Sequence, residues 1–228
     1  MTSFRKITCV IYDMDGLLLD TEPFYTAATR EIASRYGKEY DYSLKSELIG
    51  KTSMDSAKIV VEKLALPITP ETYIEERNVL LDESCPSAEA LPGAVKLTSH
   101  LFKHKIPQAV ASSSSRHSFE LKITRHREWF SIFNCIVLAD DPGIENGKPA
   151  PDLFLKAAEL MEVDPKSCLV FEDAPAGMEA ALIAGMSVVV VPDSNVDKAV
   201  FKDAGQILNS LEDFNLQQWQ LPPFLENR

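Results

Sequence analysis

The sequence is poor in three features, each of which would point to a distinct class of protein. Its four cysteines in 228 residues stand at isolated positions, so they form neither a disulfide framework nor a zinc-site pattern. No apolar run reaches membrane-spanning length, and the start carries no signal-peptide pattern. The net charge of −11 disfavours a polyanionic partner such as DNA or RNA. We therefore expect reduced cysteines, a cytoplasmic location and no nucleic-acid or membrane partner.

The residues that are present indicate an α/β domain. A hydrophobic content of 45% and a charged content of 25% are ordinary for globular proteins, and the length accommodates one core domain with a modest insertion. Short apolar runs alternate with helical patterns along most of the chain. The runs predict strands at 8–13, 107–112, 135–139, 168–172 and 187–191. This alternation predicts a doubly wound parallel sheet covered by helices on both faces.

Residues 21–88 follow a different pattern, because they contain helical spacings and no convincing strand. Asp20 precedes the first of these helices and is predicted to cap it. The block is too long for a plain strand-to-helix connection, so we expect a small inserted α-helical domain. The predicted division is a core of residues 1–20 and 89–228 with a helical insert of residues 21–88. Nothing in the sequence demands more than a monomer.

Polar residues follow the carboxyl ends of several predicted strands, the edge at which such sheets bind ligands. Asp13 and Asp15 end the first strand, and Gly16 frees the turn after them. Two carboxylates so close repel each other unless a cation, usually Mg²⁺, lies between them. The later strands lead into Ser112, Lys148, Glu172 and Asp173. Taken singly, Lys148 is better explained as a solvated loop lysine and Ser112 as a helix cap, and Glu172 and Asp173 could cap the following helix. Their convergence on one edge indicates a site.

These segments resemble, in order, the four signature segments of the haloacid dehalogenase superfamily, in its Mg²⁺-dependent phosphatase branch with a helical cap. The resemblance implies a Rossmann-like core and hydrolysis of a small phosphorylated metabolite. Residues 136–142, 171–186 and 208–211 further resemble pseudouridine-5′-phosphatases, which makes pseudouridine 5′-phosphate the first candidate substrate. Phosphatases of sugar and glycerol phosphates share much of those stretches. The matching segments are Asp13-Met14-Asp15-Gly16, Ser112 after a strand, Lys148 in Gly-Lys-Pro, and Glu172-Asp173.

The resemblance also implies a role for each core residue. Asp13 would be the nucleophile that carries an aspartyl-phosphate, and Asp15 would be the general acid and base. Ser112 and Lys148 would bind the transferred phosphoryl group, with Ser113 as a neighbouring substrate contact. The implied Mg²⁺ ligands are Asp13, the backbone carbonyl of Asp15, Asp173 and, through water, Glu172.

Within the insert, residues 49–54 resemble the cap loop that faces the active site in this family. Lys51 and Ser53 are therefore candidate substrate contacts. A solvated lysine and a helix-capping serine explain the two residues equally well.

Other activities on the same fold stay open. A β-phosphoglucomutase-like phosphotransferase is the first alternative, but its pattern places a histidine and an arginine where this chain has Tyr25 and Ser53. Dehalogenases lack the second aspartate that Asp15 supplies here. A non-catalytic binding protein is disfavoured because the full set of motif residues is intact.

Overall fold

The computed structural model describes residues 6–48 and 52–224. The strands are β1 (Cys9–Tyr12), β2 (Gln108–Ser112), β3 (Cys135–Leu138), β4 (Cys168–Glu172), β5 (Ser187–Val190) and β6 (Gln206–Ile207). The helices are α1 (Glu22–Arg35), α2 (Tyr42–Leu48), α3 (Ser53–Lys63), α4 (Pro70–Ser84), α5 (Ala94–Lys103), α6 (Arg116–Lys122), α7 (Arg127–Phe130), α8 (Asp152–Leu160) and α9 (Pro175–Ile183). Short 3₁₀ helices lie at Cys85–Ser87, Pro165–Ser167, Lys198–Phe201, Leu211–Asp213 and Leu216–Trp219.

The strands form one parallel sheet in the order β3-β2-β1-β4-β5-β6. The prediction of a doubly wound α/β fold is confirmed. The two-residue strand β6 was not predicted, because Gln206–Ile207 is too short to form an apolar run. The chain runs outward from β1 to β3 and then returns to β4 on the other side of β1. This reversal opens the crevice at the carboxyl ends of β1 and β4, where such folds bind ligands.

Both faces of the sheet are buried, because the side chains of each strand alternate between two cores. Val10 and Tyr12 pack on the face covered by α5, α6 and the C-terminal 3₁₀ helices. Cys9 and Ile11 pack on the opposite face under α8 and α9. All four side chains are fully buried. Burial of one large apolar side chain stabilises the folded state by about 1.5–3 kcal/mol. The end of β1 is therefore held rigidly from both sides.

Helices α1 to α4 bury their apolar faces mainly against one another. Ile32, Val60 and Tyr73 form a cluster of their own, away from the two cores of the sheet. Thr52 and Thr69 cap α3 and α4 by accepting hydrogen bonds from backbone N–H groups three residues on. This packing agrees with an inserted helical cap, although the boundaries at residues 20 and 88 stay a prediction.

The prediction that Asp20 caps α1 is wrong. The N-cap position belongs to Thr21, which makes no side-chain cap to the helix. Its hydroxyl instead donates a 2.8 Å hydrogen bond to the carboxylate of Asp15. A hydrogen bond to an ionised carboxylate is stronger than a neutral cap, in which the hydroxyl would accept from a backbone N–H, so the buried Thr21 bonds to the crevice rather than to the helix.

The cysteines agree with the expectation of reduced core residues. All four are free, with Cys9, Cys85 and Cys168 buried and Cys135 half-buried. None of the described helices combines the length and the apolar character that a membrane crossing requires.

Candidate active site

A tight loop after β1 sets the position of the first two acids. The backbone N–H of Asp13 donates to the carbonyl of Phe171 at 2.9 Å, which ties the end of β1 to β4. Residues 17–19 are buried, and two of their N–H groups donate to the carbonyl of Met14, so the loop folds back on itself. Gly16 has a φ of +79°, and a Cβ there would lie 2.4 Å from a carboxylate oxygen of Asp173. The loop thus requires glycine both for its backbone and for the space of Asp173.

Three acids from the ends of β1 and β4 form one cluster. Carboxylate oxygens of Asp13, Glu172 and Asp173 all lie within 4.8 Å of one another. Asp13 and Glu172 are buried and Asp173 is half-buried. Hard oxygen ligands at this spacing suit a divalent cation such as Mg²⁺.

Lys148 supplies the positive charge beside this cluster. Its Nζ donates to Asp13 Oδ1 at 2.5 Å, to Glu172 Oε1 at 2.6 Å and to the carbonyl of Ala111 at 3.0 Å. These three acceptors use all three ammonium protons. Burial opposes its charge, but the two carboxylates outweigh this effect and raise the pKa of Lys148 above its ordinary value. Lys148 therefore remains a cation between the two strands.

One ammonium does not neutralise three carboxylates. Burial raises the pKa of Asp13 to about 7, and the neighbouring Glu172 and Asp15 add to this rise against the opposing effect of Lys148. Burial, Glu172 and Asp13 likewise raise the pKa of Asp173. A further cation beside Asp13 and Asp173 would stabilise their ionised forms and so lower the two raised pKa values. The residues present therefore fit a divalent metal ion.

The carboxylate of Asp15 belongs to a second, separate cluster. Lys122 Nζ lies 2.6 Å from Asp15 Oδ1, and the hydroxyl of Ser114 donates to Oδ2 at 2.9 Å. Thr21 donates to the same carboxylate, as described above, and Ser112 lies at the limit of a hydrogen bond, at 3.5 Å. Asp15 thus has Lys122 as its own cation, and its carboxylate is not a member of the three-acid cluster of Asp13, Glu172 and Asp173; a metal ion between Asp13 and Asp15 stays a prediction.

Lys122 determines the charge state of Asp15. Its side chain is 0% exposed, and its Nζ also donates to Ser114 at 2.7 Å and to the Tyr25 hydroxyl at 3.2 Å. Burial alone would raise the pKa of Asp15, but the charge and hydrogen bonds of Lys122, with those of Thr21 and Ser114, lower it below its ordinary value. The two acids of the Asp-x-Asp motif thus have pKa values shifted in opposite directions.

The other predicted site residues are placed as follows. Ser112 is buried at the end of β2 and accepts from the N–H of Ser114 at 3.1 Å. Ser113 is exposed, and the contacts recorded for the described residues join Ser114, not Ser113, to Asp15. Ser53 begins α3 after the capping Thr52, and its hydroxyl accepts a 2.7 Å hydrogen bond from Arg77. Lys51 lies outside the described residues.

Sequence reasoning missed Lys122, Ser114 and the contact with Tyr25. Lys122 ends a short polar helix, where a lysine is usually solvated, so its position along the chain carries no signal. It reaches Asp15 only because α6 packs on the sheet, where Phe119 lies in the core. The serine run at 112–115 was a signal, but the sequence does not show which hydroxyl turns inward.

The fold and this site together define an α/β enzyme that gathers carboxylates and lysines at the carboxyl ends of its strands. The chain belongs to the haloacid dehalogenase-like hydrolases, whose family pattern matches residues 10–191.

Several relatives of this chain are named as phosphatases. The chain is 44% identical to the (DL)-glycerol-3-phosphatase 1, mitochondrial, of Arabidopsis thaliana, over 97% of this chain and 76% of that protein. It is also 44% identical to a Drosophila melanogaster protein named "Probable pseudouridine-5′-phosphatase", over 97% of both chains. A solved HAD hydrolase of family IA from Entamoeba histolytica superposes with a TM-score of 0.80 at 25% identity, covering 93% of this chain and 97% of the other. The protein is a phosphatase of small phosphorylated metabolites.

Two glycines provide a matched test of the crowding around Asp173. Gly16 and Gly37 both have positive φ, but a Cβ at Gly37 meets nothing within 4 Å. Gly37→Ala should cost about 1–2 kcal/mol of stability through backbone strain alone and leave phosphatase activity close to that of the wild type. Gly16→Ala should in addition displace Asp173 and lower kcat on the order of 10²-fold. Equal activities of the two variants, each shown folded by circular dichroism, would contradict this account of Gly16.

Magnesium should stabilise the protein in a pH-dependent way. The pKa of Asp13 is raised from 3.8 to about 7, so the metal-free folded state binds more protons than the unfolded chain between these values. Its stability therefore falls as pH rises through that window, and protons compete with the metal at the acidic end. Mg²⁺ should raise Tm more at about pH 8 than at about pH 5.5. In Asp13→Asn the difference between the two pH values should shrink. A metal effect that is independent of pH in the wild type would contradict the prediction.

Proposed function

We propose that this chain is a Mg²⁺-dependent phosphomonoesterase that forms an aspartyl-phosphate on Asp13. One arrangement supports this proposal. Asp13 lies at the switch point of the sheet, where it pairs with Lys148 and is grouped with Glu172 and Asp173. Asp15, two residues further on, pairs with a different lysine, Lys122. Nucleophile, general acid and phosphoryl-binding groups are thereby present within one crevice.

The metal site follows from the acidic cluster. Mg²⁺ would be held by Asp13, Asp173 and the backbone carbonyl of Asp15, with Glu172 acting through water. When bound, it supplies the positive charge that lets an anionic nucleophile approach an anionic phosphate.

The first half-reaction uses Asp13 and Asp15. A carboxylate oxygen of Asp13 attacks phosphorus in line, and the bond between phosphorus and the leaving alcohol oxygen breaks. Asp15 gives a proton to that oxygen, so the alcohol leaves neutral. Ser112 and Lys148 bind phosphoryl oxygens. Because the three protons of Lys148 already have acceptors, the lysine shares or exchanges one of them when phosphate binds.

The second half-reaction returns the enzyme to its starting state. Asp15 takes a proton from water, the water oxygen attacks phosphorus, and the bond to Asp13 breaks to release inorganic phosphate. The lowered pKa of Asp15 keeps it ionised in the arrangement seen here, which is the form that accepts this proton. To serve as the acid in the first half-reaction, Asp15 loosens its contact with Lys122 and takes up a proton.

Pseudouridine 5′-phosphate is the substrate that we propose first, with glycerol 3-phosphate and sugar phosphates as alternatives. The resemblance of residues 136–142 and 171–186 to pseudouridine-5′-phosphatases supports this order. The Arabidopsis glycerol-3-phosphatase and the Drosophila relative named for pseudouridine 5′-phosphate are both 44% identical to this chain. Glycerol 3-phosphate and pseudouridine 5′-phosphate therefore both belong in the first assay.

Phosphate release across a panel of esters tests the proposal. Purified protein with Mg²⁺ should release phosphate from pseudouridine 5′-phosphate faster than from uridine 5′-phosphate, glycerol 3-phosphate or hexose 6-phosphates. Asp13→Asn should abolish release, because an amide cannot form the acyl-phosphate. Asp20→Asn, the same change at an exposed acid seven positions along the chain, is the matched control and should retain activity.

The other outcomes separate mechanism from substrate. Preference for another ester would keep the mechanism and replace the substrate. Release that survives in Asp13→Asn would overturn the nucleophile. A phosphorylated isomer in place of free phosphate would indicate the phosphotransferase alternative.

A further inference from the structure

Arg77, on α4 of the insert, is a buried cation that has no ionic partner among the residues that the structure describes. The residue is 8% exposed. Among the described residues no carboxylate lies within ion-pair distance of its guanidinium, whereas Lys122 pairs with one carboxylate and Lys148 with two. Its Nη2 donates to Ser53, and its Nε is buried with no hydrogen-bond partner. A buried charge in this condition is costly unless an oxygen acceptor from outside the chain completes its hydrogen bonds.

The surroundings of Arg77 hold the guanidinium in place. Its central carbon lies 5.6 Å from the ring centre of Tyr25 and 5.7 Å from that of Tyr73. The hydroxyl of Tyr73 bonds to Thr29 at 2.8 Å and also interacts with the side chain of Arg77. Burial raises the pKa of Tyr73, and the charge and hydrogen bonding of Arg77 oppose this rise. Two ring faces and Ser53 therefore fix the group without neutralising its charge.

A chain of contacts connects this group to the catalytic acid. Arg77 lies over the ring of Tyr25, the hydroxyl of Tyr25 accepts from Lys122, and Lys122 pairs with Asp15. In the proposed mechanism Asp15 contacts the oxygen of the leaving alcohol. Because the phosphoryl group is bound on the core side, the part of the substrate that faces the insert is the alcohol.

We propose that Arg77, supported by Ser53 and Tyr25, binds an oxygen acceptor on the leaving alcohol, such as a hydroxyl or carbonyl distal to the phosphate. This inference rests on the proposed function and deepens it. It assigns substrate discrimination to a residue outside the signature segments and makes Ser53 a support for Arg77 rather than a direct ligand.

A pair of esters isolates the proposed contact. Glycerol 3-phosphate and n-propyl phosphate share a three-carbon chain and a phosphate but differ in the two hydroxyls. Wild-type protein should favour glycerol 3-phosphate in kcat/KM by about tenfold or more, because a site built to donate hydrogen bonds rejects the analogue that lacks acceptors. Pseudouridine 5′-phosphate is measured alongside as the proposed substrate.

Arg77→Met should remove the discrimination. A hydrogen bond to a charged group corresponds to about tenfold to a hundredfold in kcat/KM, so we expect that loss for glycerol 3-phosphate and pseudouridine 5′-phosphate. Turnover of n-propyl phosphate should stay within about threefold of the wild type. Arg77→Lys should recover part of the ratio between the esters, and Ser53→Ala should reduce it less than Arg77→Met. Arg30→Met, at an exposed arginine of α1, is the matched control and should change neither rate.

The outcomes distinguish this inference from the proposed function. An equal loss for both esters in Arg77→Met would show a structural role in the insert and overturn the inference, while leaving the phosphatase intact. Where Arg77→Met does not fold, Arg77→Lys and the wild-type ratio decide: a wild type that turns over both esters equally overturns the inference. Absence of phosphate release by folded wild type from every ester would instead overturn the proposed function.

Discussion

The site depends on the balance of charge at the carboxyl ends of β1 and β4. Four buried or half-buried carboxylates, those of Asp13, Asp15, Glu172 and Asp173, face the ammonium groups of Lys122 and Lys148. When all six groups are ionised, two negative charges are left over, which one divalent cation would balance. Burying this negative charge without such an ion is unfavourable. The pKa values of Asp13 and Asp173 are raised for this reason, because burial and the neighbouring carboxylates disfavour their ionised forms. The same deficit of positive charge suits the crevice to a divalent cation.

The two lysines divide the Asp-x-Asp motif into two electrostatic environments. Lys148 is shared between Asp13 and Glu172, so each carboxylate receives part of one charge. Of the acids that the structure describes, Lys122 pairs only with Asp15, which also accepts hydrogen bonds from Thr21 and Ser114. Two residues of identical chemistry therefore differ in pKa because of what surrounds them, which is the general way in which paired carboxylates acquire different roles. The turn at Gly16 makes this separation possible, since it directs Asp15 toward β2 while Asp13 remains beside β4.

What could be predicted from the sequence is what adjacent residues encode. Apolar runs gave the first five strands, and polar residues at their ends gave Asp13, Ser112, Glu172 and Asp173, because a parallel sheet brings strand ends to one edge whatever its side chains. Hydrogen-bond and ion-pair partners that are brought together only by the tertiary fold could not be predicted from the sequence. Lys122 meets Asp15 only after α6 packs, and Thr21 abandons its helix for a carboxylate that the sequence does not place. The wrong prediction for Asp20 shows the same limit. Its residue type favoured a helix cap, but α1 begins at Glu22, and Thr21, the residue at the N-cap position, donates its hydroxyl to Asp15 instead of capping the helix.

The insert is joined to the chemistry by polar contacts as well as by the chain. Tyr25 of α1 accepts from Lys122, and Lys45 of α2 pairs at 3.4 Å with Glu22, whose charge is felt by Asp173. The signature segments all lie in the core, and relatives named for different phosphate esters match nearly the whole chain. Under the proposed mechanism the core binds the phosphoryl group that those esters share, so we expect the distinction between them to arise where the alcohol lies. Because Tyr25 of the insert bonds to Lys122, a shift of the insert would alter the pairing of Lys122 with Asp15. Under the proposed mechanism, binding of the correct alcohol at the insert would therefore affect proton donation by Asp15 as well as affinity.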